Sequence, residues 1–240
     1  HSVVGIWRGV WMEVVPEGYI ESLTWSWDIE NAQVTCDIAL SGLREVSGDI
    51  DPIEASLTLE LAGETLAASM VRMRSRSLRL VAQIPGLANR QEWGRLLWSP
   101  AHPNLINARI CVGDDEVVSY VGIRDVSLSH RYLEINHQPT YLRGVLDQGY
   151  WPSSYFTAPS PQALKADLEL ARDMGFNFVR IHERSADRRT LTWADRMGMM
   201  VWGESASAYA FSDRAVSVTT QEWQDLVLRD RNHPSLIVWV

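Results

Sequence analysis

Lysine is nearly missing from this chain. Lys165 is the single lysine among 22 basic residues, and the remaining positive charge is arginine. A GC-rich bacterial genome accounts for such a bias, and no function follows from it. A positive excess is missing as well, because 30 acidic residues leave a net charge of −8 at pH 7. Phosphate recognition calls for clustered Arg and Lys, so no nucleic-acid partner is expected. No run approaches the roughly 18 apolar residues that a membrane span needs, so no membrane partner is expected either. No basic, apolar leader with a small-residue end opens the chain. The first residue is His1 rather than Met. The native N-terminus is therefore expected to lie outside the chain, and cytoplasmic and secreted bacterial locations both stay open.

Cysteine is scarce, with only Cys36 and Cys111. Both fall in expected strands, which suggests a bridge between two sheets. Side-chain phase argues against it, because successive strand residues face opposite sides. Val34, Cys36, Ile38 and Leu40 share one apolar face, whereas Ile106, Ala108, Ile110 and Val112 leave Cys111 on the outside. Two free thiols are expected. Tryptophan, by contrast, is abundant at 11 residues. Trp stacks on sugar rings, but it is also a large core and interface residue, and most of these are read as core.

The pattern changes near residue 125. Before it come short alternating runs with no convincing helix: Tyr19 to Ile29, Ala32 to Leu40, Ala55 to Leu61, Leu66 to Met73, Leu78 to Ile84, Leu105 to Val112 and Val117 to Val121. Turns separate them at Glu30-Asn31, Ser47-Gly48-Asp49, Ala62-Gly63-Glu64 and Gly113-Asp114-Asp115. Such spacing is the signature of an antiparallel β-sandwich. The first 15 residues read as one strand belonging to something earlier.

After residue 140, strands alternate with helices. Tyr141 to Leu146, Phe176 to His182, Met199 to Gly203 and Leu236 to Val240 are the expected strands. Ser160-Pro161 opens a first helix that Gly175 stops. A second runs from about Asp187 to Met197, with Gly198 as its stop. A third begins at a Thr219-x-x-Glu222 capping box and turns Trp223, Leu226 and Val227 inward. Strand–helix alternation implies parallel pairing, which a barrel or an open doubly wound sheet satisfies. No Gly-x-Gly-x-x-Gly follows Leu146, and no Gly-Lys-Ser/Thr loop is present, so a nucleotide-binding domain is the weakest reading. Polar and aromatic residues cluster after the strands, which favours a barrel.

Several segments, in order, resemble glycoside hydrolase family 2, the β-galactosidase, β-glucuronidase and β-mannosidase group. Gly5-Ile6-Trp7-Arg8-Gly9-Val10-Trp11-Met12-Glu13 resembles the closing strand of that family's sugar-binding domain. Trp98-Ser99-Pro100-Ala101-His102-Pro103-Asn104-Leu105 and Gly122-Ile123-Arg124 resemble the end of its immunoglobulin-like domain. Tyr141-Leu142-Arg143-Gly144-Val145 resembles barrel strand one, and Gly175-Phe176-Asn177-Phe178-Val179-Arg180-Ile181-His182 strand two. Ala194-Asp195-Arg196-Met197-Gly198 resembles the second helix, Val201-Trp202-Gly203-Glu204 strand three, and Arg231-Asn232-His233-Pro234-Ser235 the approach to strand four. The combination is specific where each piece alone is weak.

The resemblance implies a multidomain β then α/β fold. Residues 1–15 would be a remnant strand of the sugar-binding domain and residues 16–126 an immunoglobulin-like β-sandwich. Residues 127–240 would be the first half of a (β/α)8 TIM barrel, truncated after strand four. It implies a retaining, exo-acting β-glycosidase whose acid/base and nucleophile glutamates lie beyond Val240. No catalytic residue is therefore assigned here, and this piece alone is expected to be inactive. The substrate-binding or supporting residues it implies are Arg180, His182, Glu204, Asp147 and Trp151.

Each has a plainer alternative. Arg180 matches an arginine that bonds the nucleophile in related glycosidases, or it is a structural partner of Glu183 or Glu204. His182 binds sugar hydroxyls or is a satisfied core histidine. Glu204 binds substrate, buttresses the site or caps the next loop. Trp151 would be a sugar platform, and Asp147 is equally a turn residue. Ser205-Ala206-Ser207-Ala208 stands where galactosidase-type members carry Glu-x-His metal ligands. His102, His130, His137 and His233 lack metal-ligand spacing, so no metal and no cofactor are expected. Leu146-Asp147-Gln148-Gly149 replaces a basic-His-Glu run, which leaves the sugar unread. Expected partners are a carbohydrate substrate and the remainder of the polypeptide, with a homo-oligomer of the full-length enzyme open. The competing reading is a non-catalytic carbohydrate-binding or interaction module.

Overall fold

The computed structural model describes residues 5–6, 8–43, 45–46, 49–129 and 131–240. Trp7, His130 and the Ser47-Gly48 turn lie outside the described residues. The chain divides into two compact units. One comprises Glu13–Trp98 and Asn104–Ile123, the other His1–Met12, Ser99–Pro103 and Arg124–Val240.

The first unit is antiparallel. Strands β1 (Tyr19–Asp28), β2 (Gln33–Ser41) and β7 (Ser77–Gln83) form one sheet in the order β1-β2-β7. Strands β5 (Ile53–Leu61), β6 (Glu64–Met73), β8 (Ile106–Val112) and β9 (Asp115–Val121) form another in the order β6-β5-β8-β9. Between them the short pair β3 (Glu45–Val46) and β4 (Asp49–Ile50) makes a separate hairpin. Strict alternation builds the core, as a period of two demands. Val34, Cys36, Ile38 and Leu40 of β2 meet Leu78, Leu80 and Ala82 of β7, and Ala55, Leu57 and Leu59 of β5 meet Ile106, Ala108 and Ile110 of β8, in one buried cluster. Cys36 is fully buried and Cys111 is half-exposed on the opposite side of its strand.

One expectation fails in this unit. Residues 85–96 are helical, with 3-10 turns at Pro85–Ala88 and Arg90–Glu92 and a single α-turn, α1 (Trp93–Leu96). Four-residue elements leave no periodicity to read. The Asn89 side chain caps the middle turn by accepting from the Gln91 N–H at 3.1 Å.

Residues 8–16, divided between the two units at Met12, form no strand, contrary to the strand expected over 1–15. Extended backbone becomes a strand only where a neighbour completes its hydrogen-bond ladder, and no described strand pairs with this segment. An unexpected three-stranded meander follows: β10 (Val126–Ser129), β11 (Tyr132–Ile135) and β12 (Gln138–Thr140). Asn136 and His137, both with positive φ, make the two-residue turn between β11 and β12.

Then come β13 (Gly144–Asp147), α2 (Pro161–Asp173), β14 (Phe178–Ile181), α3 (Arg188–Met197), β15 (Met200–Gly203), α4 (Asp213–Asp230) and β16 (Leu236–Trp239). The four strands are parallel and ordered β13-β14-β15-β16. Consecutive right-handed crossovers put every helix on the same face. On that face Val145, Val179, Ile181, Val201 and Leu236 pack with Leu168 of α2 and with Leu191 and Ala194 of α3, and Trp239 meets Trp223 of α4 edge to face. The opposite face carries Leu146, Phe178, Arg180, Met200 and Trp202. Sequential order with helices on one face fits a barrel; an open doubly wound sheet would have helices on both.

Two boundaries move. The first strand starts at Gly144, three residues later than expected, because pairing with the next strand begins at Gly144 and Phe178, with one backbone bond before it from the Asn177 N–H to the Arg143 carbonyl. The Asn177 side chain holds that approach, donating from Nδ2 to the Tyr141 carbonyl and accepting the Arg143 N–H. Helix α4 starts well before Thr219. Its cap is Ser212, whose hydroxyl accepts from the Ala215 N–H at 3.1 Å, so the Thr219-x-x-Glu222 pattern lies inside the helix. The caps at Ser160 and Asp187 and the left-handed stop at Gly198 fall where expected.

Candidate functional site

Strand parity decides which side chains meet. Arg180 and His182 continue the helix-free face of β14, and Glu204 continues the same face beyond β15. Neighbouring parallel strands bring these C-terminal ends together. Arg180 donates from Nε to Glu204 Oε2 at 2.8 Å. His182 Nε2 lies 4.0 Å from Glu204 Oε1. The other ring nitrogen, Nδ1, is 3.1 Å from Gln148 Nε2, just beyond β13. Four polar side chains thus run in a line across the ends of three strands: Gln148, His182, Glu204, Arg180.

Glu204 is 7% exposed, so burial opposes its charge. That is the largest single influence on its carboxyl. The Arg180 hydrogen bond, the Glu183 backbone and the Arg180 charge, with His182 adding last and only where its ring is protonated, outweigh it and hold the group below the usual glutamate range. Arg180, half-exposed, gains from the same contact, and its proton is held more firmly. Both of its Nη atoms carry no hydrogen bond among the described residues, so the guanidinium retains donors for a further acceptor. Glu183 sits at φ 48, a left-handed position rare for glutamate, and its Oε2 accepts from the Tyr209 hydroxyl at 2.7 Å.

Asp147 and Trp151 lie elsewhere. Asp147 shares the parity of Val145 and so faces the helices. Its Oδ2 accepts from Arg184 Nη2 at 2.5 Å and its Oδ1 from the Gly149 N–H at 2.7 Å. Gly149 has φ +70, and a β-carbon there would lie 2.4 Å from Arg184 Nε, so any other residue here would push Arg184 off its place. Trp151 exchanges backbone hydrogen bonds with Tyr155 and lines a cavity with Asp147, Asp167, Arg184 and Arg8. Burial, and then the charge of Asp147, raise the Asp167 carboxyl above its usual range, with Arg184 opposing. The structure therefore brings together Arg180, His182 and Glu204, and leaves Asp147 and Trp151 on the other face. Gln148 and Tyr209 were missed. Counting two from Leu146 would have found Gln148; nothing in the Ser/Ala-rich stretch singles out Tyr209.

A second polar group is structural. Asp195, on α3, is fully buried. Its Oδ2 is 2.6 Å from His233 Nδ1, and its Oδ1 accepts the Ser235 N–H at 2.9 Å. Arg124 donates to the carbonyls of Pro234 and Leu236. Burial draws the Arg124 guanidinium down to about 10 against the pull of Asp195 and Asp125. The Asn-His-Pro-Ser run is thus clamped where it feeds β16. Among the described residues no three His, Cys, Asp or Glu side chains gather as a metal site, and no helix is long and apolar enough to cross a membrane.

A parallel strand–helix sheet with charged side chains gathered at its C-terminal strand ends is the arrangement of a barrel enzyme. Comparison with known proteins narrows it. Residues 126–240 match the family described as "Glycosyl hydrolases family 2, TIM barrel domain". A putative β-glucuronidase of Formosa agariphila is 25% identical over 98% of this chain and 28% of its own length. A β-galactosidase of Thermoanaerobacter pseudethanolicus is 23% identical over 98% of this chain and 32% of its own. Among solved structures, a glycosyl hydrolase family 2 member from Bacteroides cellulosilyticus superposes with a TM-score of 0.76 at 20% identity, covering 93% of this chain and 32% of that one. A β-galacturonidase from Eisenbergiella tayi gives 0.73 at 18% identity, over 94% and 40%. Through residues 126–240 the chain carries the barrel-domain match of glycosyl hydrolase family 2, and its likeness to curated members of that family extends over nearly its whole length. It spans about a third of the length of the curated relatives it matches.

Proposed function

We propose that this chain is part of a retaining, exo-acting β-glycosidase that hydrolyses O-glycosidic bonds of β-galactoside-, β-glucuronide- or β-mannoside-type substrates. On this reading residues 1–15 lead out of a sugar-binding domain, residues 16–126 are an immunoglobulin-like sandwich, and residues 127–240 supply the first four strands of a (β/α)8 barrel. The two glutamates that perform the chemistry belong to polypeptide outside these 240 residues. Retaining hydrolysis places two carboxyls about 5 Å apart, one attacking the anomeric carbon and the other donating and then recovering a proton.

The observation that carries the reading is the Arg180–Glu204 contact at the C-terminal ends of β14 and β15, with His182 beside it. Glu204 fixes the guanidinium through Nε. The Nη donors stay available to hold a nucleophilic carboxylate ionised or to bind sugar oxygens. Asp147 acts through Arg184 as a buttress for the loop that carries Trp151. Further strands are supported by the helix-free face. Leu146 there is 50% exposed, and the Trp202 indole N–H is buried with no acceptor among the described residues. Closing a barrel over this face would cover the first and supply the second.

The test is hydrolysis of a panel of aryl β-glycosides by the complete polypeptide that contains this chain. The proposal expects release of the aryl group from at least one β-galactoside, β-glucuronide or β-mannoside, and loss of most of kcat/KM in Arg180→Ala. No hydrolysis of any of the three sugar types, by soluble folded protein, overturns it.

A further inference from the structure

Gln148 is absorbed by none of the roles above, yet its amide nitrogen sits 3.1 Å from His182 Nδ1. The amide is placed with its nitrogen toward the ring, and an amide nitrogen only donates, so in this arrangement Nδ1 accepts. A neutral imidazole that accepts at Nδ1 carries its proton on Nε2. That atom is the one 4.0 Å from Glu204 Oε1. A donor and an acceptor therefore face each other across a gap too wide for a direct hydrogen bond and wide enough for one oxygen. An oxygen about 2.8 Å from each would subtend an angle of about 90° between them, within reach of hydrogen-bond geometry. It must accept from His182 and donate to Glu204. A hydroxyl does both, whether it belongs to a sugar or to the water that the sugar would displace. A carboxylate or phosphate oxygen cannot donate, and an ammonium cannot accept.

The opposite tautomer would change the ligand. With the proton on Nδ1, two acceptors would line the gap, suited to an ammonium or to a water donating twice. A hydroxyl has one proton and satisfies only one of them. Gln148 thus chooses between two ligand chemistries without touching the ligand. The other groups facing the imidazole are consistent with this. Arg180 is engaged with the far oxygen of Glu204, Oε2, which leaves Oε1 to accept. The Asp147 carboxylate points to the other side of the sheet and receives Arg184.

We propose that Gln148 is a positioning residue that holds His182 as its Nε2–H tautomer, so that His182 and Glu204 together form a recess for one uncharged hydroxyl group of a sugar. The tautomer rests on the Gln148 amide nitrogen facing a neutral ring; the sugar as the hydroxyl's bearer rests on the glycosidase reading above.

The test has two arms on the complete polypeptide that contains this chain. In the first, long-range nitrogen–proton NMR correlations on imidazole-labelled protein report the tautomer of each neutral histidine, with His182→Asn assigning the signal. The wild type is expected to show Nε2–H. Gln148→Glu, whose carboxylate accepts from Nδ1–H, is expected to switch the ring to Nδ1–H, and Gln148→Leu to leave a mixture. Gln148 is exposed, so these variants are expected to fold. An Nδ1–H wild type, or a Gln148→Glu variant with an unchanged tautomer, overturns the positioning role.

In the second arm, methyl β-glycosides and their singly deoxygenated analogues are titrated. Removal of one particular hydroxyl should weaken binding about tenfold in the wild type, the loss expected for hydrogen bonds to an ionised partner, and should matter little in Gln148→Glu. Equal sensitivity in both proteins overturns the hydroxyl recess. Absence of any sugar binding, with the tautomer as expected, sinks the glycosidase reading and leaves the positioning role of Gln148 supported.

Discussion

Replacing Asp195 by alanine tests the clamp that delivers the fourth parallel strand. The carboxylate is fully buried, and both of its oxygens are used: one by the ring of His233, the other by the Ser235 N–H. Truncation strands that N–H in a fully buried site, at a cost of about 1–3 kcal/mol for one buried unsatisfied group. It also removes one partner of His233, and breaking a buried charged contact from one side costs about 3–5 kcal/mol in all. The upper half of that range applies, because Ser235 is also fully buried and rigid surroundings cannot readily collapse. Asp195→Asn keeps an oxygen for the Ser235 N–H but sets an amide NH2 against His233 Nδ1, which the ring meets by accepting there, so it should cost about 1–2 kcal/mol. Urea unfolding gives both values, and the slope should not change while the midpoint moves. Amide exchange at Ser235 should accelerate in the alanine variant and stay near wild type in the asparagine variant. An alanine variant within about 1 kcal/mol of wild type, or an asparagine variant equally damaged, would refute the clamp.

Other outcomes follow from the same contacts. Glu204→Gln should flatten the acid side of the stability curve. The folded carboxyl lies below its ordinary value, so its contribution is present above that value and is lost as pH falls through the depressed one. Urea midpoints between roughly pH 6 and pH 3 would show the wild type losing more stability than the variant. Gly198→Ala should destabilise by about 2–4 kcal/mol, since φ is +70 and the new carbon would lie 2.3 Å from the Pro100 carbonyl oxygen. Gly198→Asn, which tolerates the angle but not the contact, should be nearly as poor. The thiols should separate cleanly. Cys36, buried and with its thiol pushed up to about 12, should react with a disulfide reagent only after denaturation, whereas Cys111 should react in the native protein. The 240-residue chain alone should release no aryl group from any β-glycoside.

The antiparallel unit was legible because each of its long strands has one face in a core. Val34 to Leu40 and Ile106 to Val112 alternate without a break, and that alternation is the physical consequence of burying one side of a pleat. The ends of α2 and α3 were legible for a local reason, since Ser160, Asp187 and Gly198 satisfy backbone groups within a few residues of themselves. The start of α4 was not. Ser212 caps it with no glutamate three residues on, while the more persuasive Thr219 pattern recurs harmlessly inside the helix. The first parallel strand was placed early because Tyr141 and Leu142 are apolar, although pairing rather than hydropathy begins at Gly144. At the strand ends, parity from Val179 and Val201 was enough to gather Arg180, His182 and Glu204. The same count from Val145 sends Asp147 to the helices. The Arg184 contact that holds it there joins residues 37 apart and leaves no local mark.

The account stands most directly on the stereochemistry of the first product. The complete polypeptide should be given an aryl β-glycoside that it cleaves, and the anomeric proton of the released sugar followed from the first seconds. Two displacements by paired carboxylates predict that the β-anomer appears first and mutarotates later. Initial release of the α-anomer, or folded protein that leaves every β-galactoside, β-glucuronide and β-mannoside intact, would contradict it.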